Sequence, residues 1–156
     1  MTDDQYLSAL RALLGHLRAG NLWFHGAHLV TVGAGFHGDH KFYRQVYETY
    51  TSDFDGAAEK AIAYTSTAIA SPQAVSSYAT QILSTMPSVV GLNGHQIAGA
   101  ALRVEKQTLA FVEKLFRDLE AGKRLSLGMN DYLAALANSH ETFVYKLGQR
   151  VAGGQG

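Results

Sequence analysis

Apolar residues recur at alternating spacings of three and four along most of this chain, which is the period of an α-helix. The first stretch places Leu7, Leu10, Leu14, Leu17, Asn21, Phe24 and His28 on one face. It stops at Gly33-Ala34-Gly35, where two glycines permit a tight break. The second stretch restarts at Phe36 and runs through His40, Tyr43, Tyr47, Tyr50, Phe54, Ala57, Ala61 and Tyr64, a regular and strongly aromatic seam. Two long helices joined by so short a break should fold back on one another as an antiparallel hairpin.

Ser71-Pro72 marks a new start, because serine suits an N-cap and proline suits the first helical position. A short helix is predicted over 72–85, ended by Met86-Pro87-Ser88. A third long helix is predicted from about 92 to 120, with Ala98, Ala101, Leu109, Val112, Phe116 and Leu119 facing inward and Gly122 as its stop. The fourth is predicted from about 127 to 150, with Met129, Leu133, Leu136, His140, Phe143 and Leu147 in its seam. The order is hairpin, long connection with a short helix, hairpin. That is an all-α, ferritin-like four-helix bundle with a short extra helix between its second and third long helices. No internal repeat or linker divides it, so residues 1–156 read as one domain.

Composition supports this picture. At 156 residues and 47% hydrophobic content the chain can bury one sizeable core, and only two prolines interrupt it. The absence of cysteine excludes disulfides, thiolate metal sites and cysteine nucleophiles, and leans toward the cytoplasm. The opening Met1-Thr2-Asp3-Asp4 is not a basic-then-apolar leader, and no apolar run has membrane-spanning length. A soluble cytoplasmic protein is expected. Thirteen basic residues balance thirteen acidic ones, and Arg150 is the only charge in the last seven residues. Lys123-Arg124 is a pair too small to form a basic stripe. Strong autonomous DNA binding is not expected.

The chemistry concentrates in histidine. Four of the seven histidines, His25, His28, His37 and His40, lie around the first break. Imidazole suits iron, zinc and copper. Asp55 and Glu59 follow at an i,i+4 spacing and share a face of the second helix. Mixed imidazole and carboxylate is a good ligand set for ferrous iron. His40 and Asp55 are fifteen residues apart on one helix. That is roughly 22 Å of rise, too far for one metal. His28 and His40 flank the turn and can face one another across the hairpin. Either there are two separate features, or a second copy of the chain supplies the carboxylates. An antiparallel two-fold pairing of the second helices would make two equivalent sites per dimer. His16, His95 and His140 read as packing or surface residues, His140 as a core histidine. The tyrosines Tyr43, Tyr47, Tyr50 and Tyr64 read first as packing, although a phenol beside iron can also bind it or donate an electron. Asp118 and Glu120 fit either an iron entry pore or ordinary surface charge.

The segment His28-Leu29-Val30-Thr31-Val32-Gly33-Ala34-Gly35-Phe36-His37-Gly38-Asp39-His40, followed by Asp55-Gly56-Ala57-Ala58-Glu59, resembles the signature of the Dps (DNA-protection during starvation) mini-ferritins. That signature is His-x4-Gly-x2-Phe-x3-His and then Asp-x3-Glu, and the spacing fits without a gap. The resemblance implies a hollow dodecamer built from two-fold dimers. It implies a ferroxidase centre with His28 and His40 from one subunit and Asp55 and Glu59 from its neighbour. Fe(II) would be oxidised there by peroxide or oxygen and stored as ferric mineral, and zinc would be a possible substitute for iron.

The chain also departs from that pattern. Arg44 stands where the family usually has an acidic ligand, and a cation cannot bind metal; Asp55 or Glu59 across the interface is its candidate partner. Leu29 replaces the family's tryptophan after the first histidine, and Trp23 lies elsewhere. His25 and His37 each precede a motif histidine by one helical turn, so they are further candidate ligands. The Glu-x-x-His motif of larger ferritins is not evident, which argues against a di-iron centre within one chain. Two alternatives remain: a catalytically weak metal-binding shell, and a DNA-compacting nucleoid protein.

Overall fold

The computed structural model describes residues 1–154. Gln155 and Gly156, the end of the weakly charged C-terminal segment, lie outside the described residues. Five helices form: α1 (Asp3–Val30), α2 (Phe36–Tyr64), α3 (Pro72–Leu83), α4 (Gly94–Ala121) and α5 (Leu127–Ala152). A 3₁₀ turn, Thr67–Ala70, sits between α2 and α3. No strand occurs among the described residues.

Local chemistry accounts for the helix ends. Thr2 and Gln5 form a capping box at the start of α1, and Asn93 and Gln96 form another at α4. Ser71 caps α3 with Pro72 in the first helical position, as the sequence predicts. Ser126 accepts from the Met129 amide to cap α5. Between α1 and α2 the chain passes through Gly33 at φ +96°, a conformation costly for any residue with a Cβ. The break predicted at 33–35 is therefore a true turn.

α1 and α2 pack as one hairpin and α4 and α5 as the other, while α3 lies across α1. Because α1 meets α2, α3 and α4, its middle is buried nearly all round, at Leu13, Leu14, Gly15, His16 and Leu17. At Gly20 of α1 the ring of Tyr50 on α2 fills the space a Cβ would need. The predicted seam of α5 is buried at every position.

α4 is rotated from expectation. Leu109 and Phe116 are only half-buried, whereas Val104, Glu105, Thr108 and Leu115 face the core. A seam drawn through apolar residues alone misses this, because two of the inward positions are polar and find partners inside. α3 also ends at Leu83, and α4 begins at Gly94 because Asn93 caps it. Among the described residues no helix is long and apolar enough to cross a membrane.

Candidate metal centre

His28 lies in the last turn of α1 and His40 in the second turn of α2. Their rings stack with centroids 3.7 Å apart and planes 23° from parallel. Each is held by the other's backbone: His28 Nδ1 donates to the His40 carbonyl at 2.7 Å, and His40 Nδ1 donates to the His28 carbonyl at 2.8 Å. A carbonyl only accepts, so Nδ1 carries a proton in both rings. In the neutral imidazole, Nε2 is then left with its lone pair, the form that binds a metal. The lock also satisfies the His28 carbonyl, one of the four that the end of α1 leaves without an intrahelical donor.

Aromatic rings frame the pair. Phe36 stacks on His40 with centroids 5.0 Å apart. Tyr47 meets His28 edge-on at 5.4 Å. His25 packs on Tyr47 at 4.6 Å and lies 6.3 Å from His28. His37 packs against Phe36 at 5.4 Å. The hairpin thus brings His28 and His40 together; His25 adjoins them through Tyr47, and His37 touches their neighbour Phe36.

Asp39, next to His40, is buried and grips Arg150 at the end of α5. The fork is two-pronged, with Arg150 Nε to Oδ1 at 2.9 Å and a terminal nitrogen to Oδ2 at 3.0 Å. This ion pair fixes the first turns of α2 beside the histidines. Sequence reasoning missed it because the partners are far apart along the chain. The available signal was an acid in the first turn of a helix and a lone charge near the C-terminus.

Asp55 and Glu59 lie exposed on α2, with no hydrogen-bond or ion-pair partner among the described residues. Within one chain Arg44 pairs with neither. Its Nε donates to Glu48 Oε1 at 2.8 Å, one turn along the same exposed face. An i,i+4 neighbour is always within reach, so Arg44 already has a partner inside its own chain. Among the described residues, no three His, Asp or Glu side chains of one chain are placed to hold a metal ion. One chain offers two imidazole nitrogens and, roughly 22 Å along α2, two carboxylates.

A separate polar cluster lies inside the bundle. His140 on α5 is fully buried, with Nδ1 2.6 Å from Glu105 Oε2 on α4 and Nε2 3.2 Å from Asp53 Oδ2 on α2. Tyr50 donates to Glu105 Oε1 at 2.7 Å and lies 2.9 Å from Thr108 Oγ1. Burial disfavours the charged imidazole, but Glu105 and Asp53 outweigh it and hold the His140 pKa up at about 9. Desolvation pushes the Tyr50 phenol far above its ordinary range, and the charge of Glu105 adds to that. The core histidine expected at His140 is there, but it is an imidazolium clamped between carboxylates of two other helices.

The two hairpins, the crossover and its short helix make a ferritin-like four-helix bundle with an extra short helix. A solved structure of Dps from Mycobacterium smegmatis, in a tetragonal form, is similar to it. The TM-score is 0.78 at 22% sequence identity, covering 92% of this chain and 84% of that one. At that identity the likeness establishes the fold. No protein-family model matches the sequence, and no curated protein matches it.

Proposed function

We propose that this chain is the subunit of a cytoplasmic mini-ferritin: a hollow homo-oligomer, dodecameric and built from two-fold dimers, that oxidises Fe(II) and stores the ferric product. The observation that carries the reading is the reciprocal lock of His28 and His40, which engages Nδ1 of both rings and leaves Nε2 of each as the nitrogen available to a metal. Asp55 and Glu59, exposed and without partners among the described residues, are the matching carboxylates for a neighbouring subunit. Iron is the substrate. Neutral imidazoles bind the ferrous ion, and the neighbour's carboxylates add negative charge that favours the ferric state. Peroxide or oxygen accepts the electrons, and the ferric product passes to the cavity. Zn(II) fits the same mixed ligand set as a non-oxidisable substitute.

Stopped-flow Fe(II) oxidation compares the wild type with Glu59→Ala and His40→Ala. Loss of a ligand is expected to slow oxidation by about 10–100-fold, the scale seen even for residues behind metal ligands. Equal rates in wild type and Glu59→Ala would overturn the ferroxidase reading. Arg44 favours a second reading, a metal-binding shell with weak oxidation, because a cation replaces an acidic ligand and is already engaged by Glu48. Tight Zn(II) binding with no Fe(II) oxidation would select it.

A further inference from the structure

The His28–His40 lock depends on the register between two helix ends. Both of its bonds, at 2.7 and 2.8 Å, run between the last turn of α1 and the start of α2. A slip of about 1 Å between those ends takes both out of hydrogen-bond range. Either ring nitrogen can then carry the proton, the rings can turn, and Nε2 is no longer kept for a metal. The connecting turn supplies little packing of its own. Of the residues between Thr31 and Tyr43, Asp39 alone is buried.

That single anchor is a carboxylate, and a buried carboxylate persists only with a partner. Arg150 of α5 is the partner, through its two-pronged fork. The guanidinium is itself fixed. It donates a third bond to the Gly154 carbonyl at 3.2 Å, and the same carbonyl lies 3.0 Å from Nδ1 of His95 on α4. It also lies against Gly35, where a Cβ would meet its terminal nitrogen at 2.8 Å. One arginine therefore ties the start of α2 to the end of α5 and, through Gly154, to the start of α4.

We propose that Arg150 is a positioning residue for the metal site. Through Asp39 it holds the start of α2 in the register that the lock between His28 and His40 requires. The inference rests on the metal-site reading above. Without the guanidinium, Asp39 becomes an unpaired buried charge. Its return to water moves the turn that carries His40, the next residue along the chain.

The test measures Co(II) binding to the whole assembled protein by calorimetry, with Fe(II) oxidation followed over a range of Fe(II) concentrations. Arg150→Gln should weaken Co(II) binding about tenfold, the lower end of the effect of residues behind metal ligands. It should also raise the Fe(II) concentration that gives the half-maximal rate. Arg150→Lys keeps the charge but not the fork, and should recover part of the loss. Gly35→Ala reaches the same contact without removing the arginine. Gly35 has φ −81°, which is open to alanine, and the new methyl displaces the guanidinium. Gly35→Ala should therefore weaken Co(II) binding in the wild type yet add little to Arg150→Gln. If Arg150→Gln does not assemble, Gly35→Ala alone decides the matter. Glu105→Gln, which destabilises the bundle elsewhere, should leave Co(II) affinity unchanged. Unchanged affinity in Arg150→Gln or Gly35→Ala, additive losses in the double variant, or an equal loss in Glu105→Gln overturns the role of Arg150 and leaves the metal site standing. Co(II) binding that is the same in wild type and His28→Ala/His40→Ala overturns the metal-site reading, and the role of Arg150 with it.

Discussion

Among single residues, His140 makes the clearest demand on the fold. An imidazolium with no exposed surface persists only while Glu105 and Asp53 compensate its desolvation. Glu105→Gln keeps the shape but removes the nearer charge, and should cost about 3–5 kcal/mol, the range for breaking a buried pair. Urea denaturation measures it. The pH dependence has a definite sign. The folded pKa of about 9 lies above the ordinary 6.5, so the stabilisation is complete below 6.5 and is lost as pH rises through 9. The wild-type urea midpoint should fall across that window, and Glu105→Gln should show a smaller fall. A flat wild-type profile would contradict the charged assignment. The sequence made His140 legible as a core residue, because it sits in register with five apolar neighbours on α5. Its partners were not legible. Glu105 and Thr108 look like surface residues until α2 and α5 are packed against them. His28 and His40 were legible for the opposite reason: a short hairpin forces residues flanking its turn to meet.

At the scale of elements, the glycine break and the caps were readable because they act over three or four residues. The 3₁₀ turn at Thr67–Ala70 and the rotation of α4 were not, because tertiary contacts decide them. The packing of α1 on α2 depends on Gly20, whose missing side chain admits the Tyr50 ring. Tyr50 in turn holds Glu105 and Thr108, so this one contact couples the first hairpin to the buried charge cluster. Gly20→Ala should gain helix propensity on α1 yet lose stability overall, by about 1–3 kcal/mol, because the ring or the helix must shift in a packed core. Thermal unfolding monitored by tyrosine fluorescence checks this. A raised melting temperature would mean that the hairpin yields more easily than its packing implies.

At the scale of the whole molecule, the proposed function makes assembly a condition of activity, because His40 and the carboxylates Asp55 and Glu59 lie too far apart along α2 to share a metal within one chain. A site that draws its halves from two chains has a consequence no intrachain site shares. Chains carrying His28→Ala/His40→Ala lack one half of each site, and chains carrying Asp55→Ala/Glu59→Ala lack the other. Each pure assembly should be inactive. In a two-fold dimer that mixes the two, one site lacks both halves and the other is complete. Random co-assembly from an equal mixture, after unfolding and joint refolding, should therefore restore about a quarter of the wild-type sites. Fe(II) oxidation per subunit reads this directly, and native mass spectrometry shows whether the mixed particles hold twelve chains of 16.9 kDa. Mixing the two assemblies without unfolding should restore nothing, which separates shared sites from iron passing between intact cages. If joint refolding yields mixed particles with no recovered oxidation, the histidines and the carboxylates do not meet across the subunit interface. The pair at the α1–α2 turn would then have to act without Asp55 and Glu59.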